Sequence, residues 1–318
     1  TEPDFSIRGF PLREDEIHAL DQSIAVLRQI KGSGLFLHFE SAIQKIEIDA
    51  GDSGLERGLK DRDLTGEITV PFCPESTLSG VAHTDFMDAV WYRKVVEIPA
   101  AWSGRDALLH FQASDYDTTV WVNGTEVVRH RGGFTPFTAE LSGIAGPGET
   151  ATIVVRARDP KSGPQARGKQ STRYGSYGCF YTRTTGIWQT VWMEPVSKFS
   201  MKRPRITPDV ANHCFHLEVP LRANRSGMTL NATVSYAGKE LATASVTTAY
   251  DMSPRAVLTI PEESVHLWNV GDAHLYDITL TLSDAAGNVH DTITTYAGLR
   301  SVAVDGRKVL INGKAVFQ

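Results

Sequence analysis

Four acidic residues, Glu75, Asp85, Asp115 and Asp117, stand where proton-transfer chemistry could be built. Two facing carboxyl groups divide proton donation and acceptance between them. Asp115 and Asp117 lie two apart in DYDTTVWVNG, so a regular strand puts both on one sheet face. The plainer expectation is that all four satisfy backbone amides at turns and strand ends. His83-Thr84-Asp85 offers two ligand types one residue apart, but no second cluster completes a metal site. There is no GxSxG elbow to present a nucleophile. The glycines of GSG and RGGF do not lead a strand into a helix, which leaves a phosphate cradle unsupported. The expectation is therefore no catalytic residue, no metal and no other cofactor.

A different kind of chemistry is suggested by DPKSGPQARGKQSTRYGSYG, residues 159–178. The stretch is polar and glycine-rich, and structureless loops longer than about 12–15 residues are usually functional or disordered. It carries cations, amides and two tyrosines, Tyr174 and Tyr177. Trp121, Trp188 and Trp192 sit inside strand patterns and read as core rather than as a binding platform. The last two are four apart, on one face if the strand is regular.

The elements around these residues are strands. LREDEIHALDQSIAVLRQI, residues 12–30, places Ile17, Leu20, Ile24 and Leu27 at helical spacing and predicts the only convincing helix. From Gly34 the period becomes two, first in LFLHFE with Leu35, Leu37 and Phe39 on one face. VWYRKVVEIP, ALLHFQAS and ATIVVRARDP alternate in the same way. Asn123-Gly124 predicts a tight hairpin between a strand ending at Val122 and one starting near Glu126, and Asn312-Gly313 predicts another. CFHLEVPLRA, LNATVSYAG, ELATASVTTA, RAVLTIP, LYDITLTLSD and VHDTITTYAG give an immunoglobulin-like count of strands. The prolines of MKRPRITPD mark a joint near residues 198–208.

At 318 residues the chain suits two domains, and 41% hydrophobic content lets each bury a core. A formal net charge of -5 without a basic stripe argues against nucleic acid as a partner. No apolar run approaches about 18 residues, so no membrane-spanning helix is expected. The three cysteines, Cys73, Cys179 and Cys214, have neither CxxC nor metal-ligand spacing. Thiols of that kind are ordinary in a reducing compartment, which slightly favours the cytoplasm. The sequons at Asn123, Asn224 and Asn231 are too short a pattern to inform.

Several longer strings are specific. VPFCPESTLSG, VWYRK, DYDTTVWVNG, HRGGFTPF, RGKQ and GCFYTRTTGIWQTVWMEPV occur in that order, followed by LWNVGDAHLYDITLTL and GLRSVAVDGRKVLINGKAVFQ. Together they resemble glycoside hydrolase family 2, the group that includes β-galactosidases and β-glucuronidases, from about Val70 onward.

The resemblance implies an all-β chain: a jelly-roll (galactose-binding-like) sandwich followed by an immunoglobulin-like β-sandwich. The expected division is 1–198 for the jelly roll, 199–298 for the immunoglobulin-like domain, and 299–318 for a hairpin leading into a (β/α)8 barrel that this chain lacks. In the family the two catalytic glutamates belong to that barrel, so this chain would scaffold it and shape the rim of its active site. The loop at 159–178 then makes Arg167, Lys169, Gln170 and Tyr174 substrate-rim candidates. Phe180 stands near where some family β-galactosidases hold sodium through an acid, so no sodium site is implied. Expected partners are a carbohydrate, the barrel and a further copy in a homo-oligomer. The other reading is a stand-alone carbohydrate-binding or interaction protein.

Overall fold

The computed structural model describes residues 44–50, 64 and 66–317. The helix expected over 12–30 and the strand expected at LFLHFE lie outside the described residues. Among the described residues the fold is all-β, and the chain divides into two compact units. One comprises residues up to Val96 with Leu109–Ala139 and Thr152–Trp192; the other comprises Glu97–Leu108, Glu140–Ala151 and Met193–Gln318.

The jelly-roll strands are β1 (Gln44–Ala50), β2 (Gly66–Val70), β3 (Ala89–Glu97), β4 (Asp106–Phe111), β5 (Ser114–Asp115) and β6 (Asp117–Val122). They continue as β7 (Thr125–Arg131), β8 (Phe137–Glu140), β9 (Thr150–Arg158), β10 (Gly186–Ile187) and β11 (Val191–Val196). One sheet runs in the order β2-β1-β3-β9-β6-β7, a second is β11-β4-β8, and β5 pairs with β10 alone. Alternation decides what goes inside. Along β9, Ala151, Ile153, Val155 and Ala157 are buried while the residues between them face outward. The expected turn at Asn123-Gly124 forms, with φ of 49° and 80°. The Asn123 side chain also accepts a hydrogen bond from the Thr152 amide at 2.9 Å.

The tryptophans divide differently from expectation. Trp91 and Trp102 are the buried ones. Trp121 is half-buried and stacks on Trp91 at 5.8 Å, with the Arg156 guanidinium 5.7 Å from both rings. Trp188 falls in the break between β10 and β11, so it does not share one regular strand with Trp192. Trp192 stacks on His110 at 4.1 Å.

The second unit carries an immunoglobulin-like sandwich. Its strands are β12 (Arg205–Asp209), β13 (Cys214–Glu218), β14 (Thr229–Tyr236), β15 (Lys239–Thr247), β16 (Arg255–Thr259), β17 (Tyr276–Ser283) and β18 (Val289–Ala297). They form sheets β12-β13-β16 and β15-β14-β17-β18. Leu230, Ala232 and Val234 from β14, with Tyr276, Ile278, Leu280 and Leu282 from β17, close over Phe215, Leu217 and Leu258. Buried Tyr276 still satisfies its hydroxyl, which donates to the Ser264 carbonyl at 2.9 Å and accepts from the His266 amide at 2.6 Å. A meander of β19 (Val302–Asp305), β20 (Lys308–Ile311) and β21 (Lys314–Val316) follows, turning at Asn312-Gly313 as expected. The Asn312 amide ties that turn to the Trp268 carbonyl at 2.9 Å. Among the described residues, no helix is long and apolar enough to cross a membrane.

Candidate functional site

Asp115 and Asp117 do not share a face. The strand breaks at Tyr116, so Asp115 ends β5, paired with β10, while Asp117 begins β6 in the six-stranded sheet. Asp115 is 1% exposed. Asp117 is half-buried, and Arg131 pairs with it at 3.9 Å. A shared proton-transfer pair is thereby excluded.

Asp115 instead anchors the long loop. Gln170, 6% exposed, donates from Nε2 to Asp115 Oδ2 at 2.6 Å. The other end of the same amide accepts the Thr184 backbone N–H at 3.0 Å. Asp115 Oδ1 is buried with no hydrogen-bond partner among the described residues. A Cβ on Gly133 would come within 2.4 Å of that atom, so the glycine makes room for the carboxyl group. Burial, reinforced by the charge of Asp159, pushes the Asp115 carboxyl up to about 7 against the opposing Gln170 bond.

Two further acids hold the same segment. Asp159, buried, accepts from the Gln165 side chain and pairs with Arg167 at 3.6 Å. Arg167 also donates to the Pro160 carbonyl. Glu75, buried, accepts the Thr185 amide with both oxygens at 3.1 and 3.2 Å. Burial raises both carboxyls above their ordinary range. Beside them burial pushes the Cys73 thiol up to about 12, with the Glu75 charge adding to it. Asp85 meets the turn expectation as Glu75 does, accepting the Phe86 amide at 2.6 Å.

Arg183 is buried and donates to the carbonyls of Thr84, Arg173 and Ser171. Its guanidinium lies 3.9 Å from the Phe86 ring centre. Tyr174, 68% exposed, packs edge-on against the same ring at 5.3 Å. The loop closes on itself through the Ser171 amide to Tyr181 carbonyl bond at 2.7 Å and the Tyr181 amide to Lys169 carbonyl bond at 3.0 Å.

The four residues singled out in the sequence therefore separate into two pairs. Gln170 and Arg167 turn toward buried acids and fasten the loop. Lys169 and Tyr174 stay on its exposed side. The fasteners on the far side, Glu75, Asp159 and Arg183, were missed as a group. Glu75 and Arg183 reach partners 110 and 99 residues away, which a local pattern does not reveal, while Asp159 meets Gln165 and Arg167 within the loop. The buried carboxyls cannot reach a substrate, so the arrangement builds a braced loop rather than an acid–base centre.

Residues 67–163 match the family model described as glycosyl hydrolases family 2, sugar binding domain, and residues 199–300 match glycosyl hydrolases family 2. Similar curated proteins include a beta-glucuronidase of Paenibacillus borealis, 27% identical over 291 residues, covering 87% of this chain and 47% of the relative. A beta-galactosidase of Thermoanaerobacter pseudethanolicus is 23% identical over 239 residues, covering 72% of this chain and 31% of its own. Among solved structures, the b-glucuronidase from Ruminococcus gnavus in complex with D-glucaro-d-lactam superposes with a TM-score of 0.65. It is 22% identical, covering 86% of this chain and 48% of that one. A Lactobacillus rhamnosus beta-glucuronidase gives 0.64 at 21% identity, covering 86% and 46%. At such identities the structures show a common fold. The chain spans less than half the length of these relatives.

Proposed function

The chain belongs to glycosyl hydrolases family 2, and on that premise we propose that it is the non-catalytic two-domain N-terminal portion of a retaining β-glycosidase. Its division is 1–198, 199–298 and 299–318, as the sequence suggested. Its role is to scaffold a catalytic barrel and shape the rim of that barrel's active site. The observation that carries this reading is the ordered match of both family domains, against relatives of which the chain spans under half.

Retaining hydrolysis needs two carboxyl groups about 5 Å apart across the scissile bond, one of them reachable as a nucleophile. Glu75, Asp115 and Asp159 are buried and committed to holding the loop, which supports a bracing role. Within the rim, Arg167 and Gln170 hold the loop in shape, while Lys169 and Tyr174 face the sugar. An exposed cation on the rim suits an anionic sugar, and β-glucuronidases dominate the similar proteins, so a terminal β-glucuronide is the first parent substrate to test.

The test is hydrolysis of aryl β-glucuronides and β-galactosides by the purified 318-residue chain. No turnover is expected, and turnover at an ordinary enzymatic rate overturns the non-catalytic reading. The exposed Tyr174 favours one alternative, a stand-alone carbohydrate-binding protein. Calorimetric titration with glucuronic acid, galactose and mannose separates the two. The scaffold reading predicts no measurable heat of binding, and saturable binding replaces it with the alternative.

A further inference from the structure

At the turned end of the β12–β13 hairpin, three side chains of different ligand types meet on one face. Asp209 and Cys214 are paired across the two strands, and His216 lies two residues beyond Cys214 on the same strand face. Cys214 Sγ is 3.6 Å from His216 Nε2, and that nitrogen is 3.5 Å from Asp209 Oδ2. All three ligand atoms lie within 4.8 Å of one another. The imidazole–carboxylate distance is long for a good hydrogen bond, whose N···O separations run about 2.7–3.2 Å, while 3.6 Å is ordinary for a contact to sulfur. Both distances suit ligands of one ion: tetrahedral zinc with Zn–S of about 2.3 Å and Zn–N of about 2.0 Å separates sulfur from nitrogen by about 3.5 Å.

We propose that Asp209, Cys214 and His216 form a zinc-class metal site that clips the β12–β13 hairpin. A thiolate, an imidazole and a carboxylate together make a borderline-soft donor set, which selects zinc over magnesium or calcium. Cys214 is buried at the base of the group, while His216 is 53% exposed on its side-chain surface, leaving the fourth position to water. His216 binds through Nε2, so Nδ1 keeps its proton. On uptake, the Cys214 S–H proton passes to solvent as the sulfur–metal bond forms. Asn212 supplies the outer support, donating from its backbone N–H to Asp209 Oδ1 at 3.1 Å and from Nδ2 to Oδ2 at 2.7 Å. Looking for ligand spacing along the chain misses this group, because Asp209 faces the other two from the opposite strand.

Cobalt(II) titration of the full chain tests the proposal, since a cobalt–thiolate bond has its own charge-transfer band. One equivalent is expected to give that band, and zinc is expected to bleach it and raise the melting temperature. Cys214→Ser should remove the band. His216→Ala, a change at an exposed position that spares the core, should abolish saturation at stoichiometric metal. Asn212→Ala should weaken uptake about 10-fold. Absence of the band in the unaltered chain overturns the proposal. So does a band that survives Cys214→Ser, since it would come from Cys73 or Cys179, or one unchanged by His216→Ala. A melting scan without metal checks that each variant is folded.

Discussion

The two units fill their interiors with different materials. The immunoglobulin-like unit packs alternating Leu, Ile, Val and Phe from facing sheets. The jelly-roll unit has such a core as well, with Val90, Phe111, Val120 and Ile187 buried. It also buries Glu75, Asp115, Asp159, Gln170 and Arg183 under its long loop. An apolar interior gains stability from area removed from water and has nothing to titrate. A buried polar cluster must satisfy each group, and its carboxyls resist ionisation. Between about pH 4 and 8 the jelly-roll unit, with three carboxyls raised by burial against Asp291 in the other unit, should therefore lose more of its stability.

The largest expected effect lies in the apolar unit. Phe215→Ala should cost about 3–5 kcal/mol, equally at pH 5 and pH 8, in urea melts of the full chain. A loss that changed with pH would break the contrast. Next comes Gly186→Ala in the polar unit. Gly186 has φ of +73°, and an added Cβ would lie 2.2 Å from the Tyr92 hydroxyl. That hydroxyl accepts the Ile187 amide at 3.1 Å. Overpacking there should cost about 1–3 kcal/mol, and a neutral result would mean the loop base is not packed as described.

Asp115→Asn should change little near pH 4, its effect growing as the pH rises, and it sharpens the contrast most. The folded unit keeps the Asp115 proton up to about pH 7, whereas the unfolded chain releases it in the ordinary carboxylate range. The stabilisation from holding that proton is full below about pH 4 and is lost as the pH rises through 7. Between those limits this group alone costs up to about 1.4 kcal/mol per pH unit. Asparagine, which does not ionise, should flatten the slope. An unchanged slope would place the titration on Glu75 or Asp159.

Period-two patterning placed nearly every strand of the second unit, since each one buries one face and register follows alternation. Both Asn-Gly turns were legible because their backbone needs positive φ. The site was legible only as a long loop. Gln170 looked like a rim residue because nothing nearby in sequence calls it inward; its partner, Asp115, is 55 residues away. The break at Tyr116 that separates Asp115 from Asp117 likewise lies inside a string that alternates well enough to read as one strand.

The bonds that close the loop also set an order of events. Glu75 meets Thr185 across 110 residues, Arg183 reaches Thr84 across 99, and Tyr92 meets Ile187 across 95. The second unit is stitched mainly by neighbouring hairpins. Closing a long span costs entropy before any contact repays it, so the hairpins should assemble quickly and the loop late. On the ribosome, Glu75 has no amide to take its carboxylate until Thr185 has emerged, and the acids at the base of the loop wait longest for cover.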